Sequence, residues 1–265
     1  MKLAFIGCGN MARAMMGGAI RGGFCPPEDI IASGPHEPAL SRARKEFRVA
    51  TTKNNAEAAR KAETVVLSVK PQVYETVIRE ISGDVGENSL ILSIAPGKTL
   101  AWLQKTFGKP VHLIRAMPNT PAMVGAGMTA VCPGKSVSRE ETERALRFFS
   151  SFGRAELLPE NLMDAASSVS GCSPAMVFMM IEAMSDAAVS DGMPRAKAYL
   201  FAAQAVLGSA KMALETGVLP AGLKDMVCSP GGTTIEAVRS LERTGFRSSV
   251  IEALKASTEK AKSVE

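Results

Sequence analysis

The chain has 265 residues, of which 46% are apolar and 22% charged, enough for one large or two medium globular domains and unlike a disordered or fibrous chain. Lys and Arg total 31 against 26 Asp and Glu, a net charge of +5; the cations are scattered rather than bunched, which argues against nucleic acid as a partner. The five cysteines, Cys8, Cys25, Cys132, Cys172 and Cys228, form no CxxC pair or Cys/His cluster, so a disulfide framework and a metal site are not expected and reduced thiols in the cytoplasm are.

A strand pattern starts at Leu3, leaving no room for the charged head and apolar core of a signal peptide. That strand, 3–6, runs into Gly7-Cys8-Gly9-Asn10-Met11-Ala12 and then a helical stretch, 11–21. The motif fits G-x-G-x-x-G/A between strand and helix: Gly7 for a tight turn, Gly9 for close approach of a pyrophosphate, Ala12 for helix-on-strand packing, with the helix N-terminus offering N–H groups. Dinucleotide binding is the expected role.

The second strand, 30–32, is followed by Ser33, Gly34 and Pro35, without the Asp or Glu that would hold the ribose hydroxyls of NAD; Asp29 precedes the strand and lies at its wrong end. The small hydroxyl of Ser33 favours a 2′-phosphate, hence NADPH. Asn55, Arg42 or Arg44 would add donors, the two arginines reading equally as solvated helix residues.

After a helix over 38–47, strand 65–69 leads through Ser68 and Val69 to Lys70 and Pro71, at the edge where ligands collect in such sheets. A helix over 73–81 and strand 90–94 follow, ending in Ser93-Ile94-Ala95-Pro96-Gly97. Strand 111–114 leads to Arg115-Ala116-Met117-Pro118-Asn119-Thr120-Pro121, a proline-stiffened loop that could close over a nicotinamide. Strands 128–131 and 155–158 flank a helix over 138–152 that opens with the capping box Ser138-x-x-Glu141. This alternation predicts an α/β domain, a parallel sheet with helices on both faces, over residues 1–162.

From about residue 161 only helices are expected, forming an all-helical domain over 163–265. They cover 174–191 and 194–216, each ending at a glycine, then a short turn at 223–227 and helices over 233–244 and 248–262. Pro174 and Glu182 bound the longest apolar run, so no membrane span is expected. Ser229-Pro230-Gly231-Gly232-Thr233-Thr234 precedes a helix: it is either a backbone nest for a carboxylate or a loop with a threonine cap. The only histidines are His36, near a turn, and His112, inside a strand, so a histidine acid/base or a Ser-His-Asp arrangement is not expected.

Six segments now combine: Phe5 to Ala12; Ser68-Val69-Lys70-Pro71-Gln72; Met117-Pro118-Asn119-Thr120-Pro121; Ile181-Glu182-Ala183 with Asp186-Ala187-Ala188-Val189; Gln204 with Gly208-Ser209-Ala210-Lys211-Met212; and Lys224-Asp225 leading into Ser229 to Ile235. Together they resemble the pyrroline-5-carboxylate reductase family over essentially the whole chain. The resemblance implies an N-terminal Rossmann domain and a helical domain that makes a homodimer, often built into larger rings such as a decamer. It implies NADPH, with NADH as a second donor, and 1-pyrroline-5-carboxylate as substrate.

Carried over residue by residue, the resemblance assigns the cofactor to Ile6, Gly7, Cys8, Gly9, Asn10, Met11, Ser33, Asn55, Ser68, Val69, Lys70, Pro71, Ile94 and Ala95. It assigns the substrate carboxylate to the loop of Ser229, Gly231, Gly232, Thr233 and Thr234, with Thr234 hydrogen-bonding the ring nitrogen as the catalytic residue. Two departures stand out. Ser170-Gly171-Cys172-Ser173-Pro174-Ala175-Met176 replaces the common Ser-Gly-Ser-Gly-Pro-Ala-Tyr, and Met226 stands where some relatives carry a polar residue.

Two alternatives share parts of this pattern. β-Hydroxyacid dehydrogenases have a similar layout, but the position of their catalytic lysine, counted from Ser173, is Val177 here. A non-enzymatic NADP(H) sensor would not require the second anion loop at Ser229 to Thr234.

Overall fold

Short runs of β-branched and aliphatic residues make the strands: β1 (Leu3–Ile6), β2 (Ile30–Ser33), β3 (Ala50–Thr52), β4 (Thr64–Leu67), β5 (Leu90–Ser93), β6 (His112–Met117), β7 (Gly127–Pro133) and β8 (Gly153–Leu157). Every residue of β1, β2, β4 and β5 is buried, as strands covered on both faces must be. The computed structural model describes residues 2–262 and divides into two compact units, Met1–Gly171 with Ser257–Glu265, and Cys172–Ala256.

The eight strands form one sheet in the order β3-β2-β1-β4-β5-β6-β7-β8. β1 lies between β2 and β4 with parallel register, Leu3 opposite both Ile30 and Thr64. The chain therefore winds outward from β1 in both directions, and the crevice of such a switch point opens at the carboxyl ends of β1 and β4. Side chains alternate across the sheet. Leu3 and Phe5 join Met15, Met16, Leu40 and Phe148 on one face, while Ala4 and Ile6 join Tyr74, Ile78, Leu103 and Phe107 on the other. The first face carries α1 (Asn10–Arg21), α2 (Glu37–Phe47) and α6 (Arg139–Ser150); the second carries α3 (Asn55–Arg60), α4 (Tyr74–Ile81) and α5 (Leu100–Phe107).

The sheet is not wholly parallel. β7 runs antiparallel to β6, with Met117 opposite Ala130, because the connection of residues 118–126 is shorter than the dozen or so residues a parallel crossover takes. The two compact units divide between Gly171 and Cys172. The helical turn α7 (Met163–Ala166) belongs to the first unit: Met163 is buried against Met117, Ala130 and Cys132, and the buried Arg115 guanidinium reaches Asp164 at 2.9 Å and Glu160 at 3.5 Å. At the far end of the chain, Thr258 donates to Ser168 at 2.8 Å within the same unit.

The second unit is helical: α8 (Ser173–Ser190), α9 (Arg195–Thr216), α10 (Pro220–Val227), α11 (Thr233–Arg243) and α12 (Phe246–Lys262), whose last turns return to the first unit. The expected turn at 223–227 is a helix of 8 residues. α8 and α9 pack together where their side chains are small, at buried Ser185, Ala198 and Ala202. Large apolar side chains instead face outward, including Phe178, Met179, Leu200, Phe201 and Leu219. The helical stretch Glu160–Ser190, with a window of mean hydropathy 1.3, is long and apolar enough to cross a membrane by length and composition. Pro174 does not interrupt it, because it occupies the first turn of α8, where its missing N–H is no loss.

The capping box forms as expected: Glu141 N donates to Ser138 Oγ at 3.2 Å and Ser138 N donates to Glu141 Oε2 at 2.7 Å. His112 Nδ1 lies 2.6 Å from the same carboxyl group. Partial burial opposes ionisation of Glu141, but the bonds from Ser138 and His112 outweigh it and hold its pKa below the usual value. A lowered folded-state pKa adds stability above the unfolded-state value and loses it as pH falls through the folded one. Glu141→Gln is therefore expected to lower Tm at pH 7, and thermal melts should show the gap from wild type closing below about pH 4.

Candidate functional site

At the end of β1 the chain turns through Gly7, whose φ of +104° favours glycine. A Cβ there would lie 2.8 Å from the backbone of Ser68 and Val69. The contact is fixed from the other side: Ser68 N and Oγ donate to Ile6 O at 2.9 and 3.1 Å, and Oγ also donates to Gly7 O at 2.9 Å. Gly7 N in turn donates to Ser33 O at 2.9 Å. The carboxyl ends of β1, β2 and β4 are thus tied into one edge. β4 stops at Leu67, two residues short of the expected end, because Ser68 turns back onto the Gly7 turn.

Gly9 is the N-cap of α1, and a Cβ on it would meet open space. No side chain among the described residues caps this helix, so its first N–H groups and positive dipole end are free for an anion. Ala12 is buried against the sheet. These features fit a dinucleotide pyrophosphate. Asn10 and Met11 form the first turn; Cys8 contributes backbone only. Its thiol is buried beside Ala39 O at 3.6 Å, and burial pushes its pKa up against the pull of Arg13 and Arg42.

Ser33 is fully buried, and its hydroxyl donates inward to Asn55 Oδ1 at 2.8 Å. The hydroxyl expected beside a 2′-phosphate thus points inward in this structure and joins the Asn55 amide. Asn55 Nδ2 donates to Glu80 Oε2 at 2.9 Å, so a carboxylate from α4 orients the amide.

Lys70 is exposed and leads into a 3-10 turn, Pro71–Val73, with no ion pair among the described residues. Beneath it, the buried Tyr74 hydroxyl donates to Leu67 O and accepts from Ile94 N at 3.2 Å. Burial pushes its pKa up to about 12. It locks the ends of β4 and β5, holding Val69, Ile94 and Ala95 at the same edge. Sequence reading missed Tyr74; its one signal is a tyrosine on the apolar face of an amphipathic helix.

The loop after β6 is tied to its surroundings by hydrogen bonds. Asn119 is buried, accepts from Met128 N at 2.8 Å and donates to Ser170 O at 2.8 Å, and the following turn, Thr120–Val124, packs on α1, where Arg21 donates to Met123 O at 3.3 Å.

In the second unit, Ser229 to Gly232 form a tight turn, Gly232 N donating to Ser229 O at 3.0 Å with Gly231 at φ +67°. Gly232, not a threonine, is the N-cap of α11, and no side chain among the described residues caps it. Thr233 and Thr234 are exposed in the first turn, so N–H groups and two hydroxyls face outward together.

Residues 160–264 match a family model described as pyrroline-5-carboxylate reductase dimerisation, and residues 2–97 match one described as NADP oxidoreductase coenzyme F420-dependent. The chain is 50% identical over 260 residues to the pyrroline-5-carboxylate reductase of Escherichia coli strain K12, covering 98% of this chain and 97% of that one. It is 45% identical over 257 residues to the Synechocystis enzyme of that name, covering 97% of this chain and 95% of that one. Among solved structures, a pyrroline-5-carboxylate reductase from Coxiella burnetii superposes with TM-score 0.92 at 35% identity, covering 99% of this chain and 97% of that one. The pyrroline carboxylate reductase of Plasmodium falciparum, solved with NADP bound, does so with TM-score 0.90 at 31% identity and the same coverage.

The two glycines of the first turn separate binding from folding. Gly9→Ala should leave Tm unchanged and weaken NADPH binding by about tenfold or more, about 1.4 kcal/mol. Gly7→Ala should lower Tm as well, because its methyl group strikes backbone; calorimetric titration and thermal melts distinguish the two.

Proposed function

The chain belongs to the pyrroline-5-carboxylate reductase family, and from that membership we propose that it carries hydride from NADPH, with NADH as a second donor, to the C=N bond of 1-pyrroline-5-carboxylate, giving L-proline. The observation that carries the reading is the pair of uncapped, glycine-led helix N-termini, one in each unit. A dinucleotide occupies the first through its pyrophosphate; the second suits a substrate carboxylate. A nucleotide sensor has no use for the second, and Val177 leaves the dehydrogenase alternative without its lysine.

In this reading the N–H groups of the turn from Ile6 to Met11 hold the pyrophosphate, and Ser33 acts through Asn55 at the adenosine ribose. Ser68, Val69, Lys70, Pro71, Ile94 and Ala95 line the edge toward the nicotinamide. When bound, the cofactor supplies hydride to the imine carbon. Ser229, Gly231, Gly232 and Thr233 anchor the substrate carboxylate, and the Thr234 hydroxyl hydrogen-bonds the ring nitrogen. Because the substrate reacts as its protonated, cationic imine, no histidine is required; His112 is engaged with Glu141.

The outward apolar faces of α8 and α9 support a homodimer built through the helical unit, which would cover side chains such as Phe178 and Phe201. A second copy, not a lipid bilayer, is the occupant this reading gives to α8, and a decamer is the larger ring it carries over. Free cysteines throughout support the cytoplasm.

Two outcomes are expected. Purified protein oxidises NADPH with 1-pyrroline-5-carboxylate and not NADP+ with a hydroxyacid, and Thr234→Ala lowers kcat by about ten- to a thousandfold, roughly 1.4 to 4 kcal/mol, with NADPH affinity retained; an unchanged kcat removes Thr234 from the mechanism. Sedimentation should give a dimer or a multiple of it, and a monomer at micromolar concentration would contradict the assembly.

A further inference from the structure

The ribose edge holds an arrangement that the roles above leave unexplained. Ser33 and Thr52 are register partners at the ends of β2 and β3, and Gly34 N donates to Thr52 O at 3.3 Å. Gly34 also abuts the phosphate turn, since a Cβ on it would sit 3.7 Å from Cys8 N. Just past these strand ends lie Glu37, the first residue of α2, and Lys53, the first residue after β3. A single carboxylate gathers two cations there: Glu37 pairs with Arg44 two turns further along α2, and with Lys53 Nζ at 3.6 Å. Arg42 stands nearby, close enough to act on the Cys8 thiol, with no ion pair among the described residues.

A dinucleotide bound on the α1 turn places its adenosine ribose at the end of the second strand, beside this cluster. A 2′-phosphate carries more charge than a carboxylate and seeks the same cations. Both ion pairs of Glu37 are solvent-exposed, so each is weak and exchangeable. Resting on the nucleotide site proposed above, we propose that Glu37 sets the balance between NADPH and NADH by competing, as a resident carboxylate, with the 2′-phosphate for Arg44 and Lys53. With NADH the Glu37 pairs persist; with NADPH the phosphate displaces them, and its affinity is reduced by what that exchange costs. Two further carboxylates stand near this edge: Glu57, which accepts from Thr52 and pairs with Lys61, and Glu80, which holds the Asn55 amide and pairs with no cation among the described residues.

The test is equilibrium binding of NADP+, NAD+ and 2′,5′-ADP to wild type, Glu37→Gln and Glu80→Gln. Glu37→Gln should tighten NADP+ and 2′,5′-ADP by about three- to thirtyfold, the release of two exposed pairs, and leave NAD+ within about twofold. The gain should fade as salt rises toward about 0.5 M and vanish when Arg44→Gln and Lys53→Gln are added. An unchanged NADP+/NAD+ ratio in Glu37→Gln overturns the proposal, as does an equal gain from Glu80→Gln, which would mean unspecific charge rather than competition. If wild type binds neither NADP+ nor NAD+, the proposed function falls and this inference with it; if both bind and the ratio is fixed, only this inference falls.

Discussion

The contact on which the first unit depends is backbone against backbone: Gly7 resting on Ser68 and Val69 with no room for a side chain between them. It joins the central strand to its neighbour where the sheet changes direction, and Ser68 seals it with three hydrogen bonds. Once that approach is made, α1 must start at Gly9, its N-terminus must face the crevice, and Ser33 must close the other side through Gly7 N. Tyr74 extends the same tie to β5. The edge is a rigid platform of backbone donors, which is what charge recognition without reorganisation demands.

The helical unit obeys a different constraint. Its apolar residues outnumber the places its own helices offer for burial: α8 and α9 meet along serine and alanine, and their bulky side chains are left outside. A monomer with such a surface is poorly soluble, so the second copy proposed for it answers a need created by the sequence itself. The uncapped start of α11 lies in this unit, so the proposed carboxylate loop depends on the stability of the helical assembly.

Much of this was legible in the sequence wherever a local rule carried the information. The β1 turn, the capping box at Ser138 and the glycine- and proline-marked helices follow from one-residue chemistry and appear as expected. β3 and α3 were missed because they span 3 and 6 residues, too short for a period to declare itself; α5 was missed as well. The reversal of β7 depends on loop length between strands. At the site, Ser33 and Asn55 were identified singly, but their bond to each other and to Glu80 arises from three separate elements. Glu37 and Lys53 gave no signal at all, since a surface ion pair leaves no pattern along the chain.

The central claim is that each unit carries one anion site and that the two bind different molecules. Amide hydrogen exchange of the full-length protein, alone, with NADPH, and with NADP+ plus proline, tests it most directly. The account predicts that NADPH slows exchange at residues 8–13 and 68–70, and that proline adds protection at residues 231–235. Protection by proline elsewhere, or by NADPH away from the Gly7 turn, would contradict it.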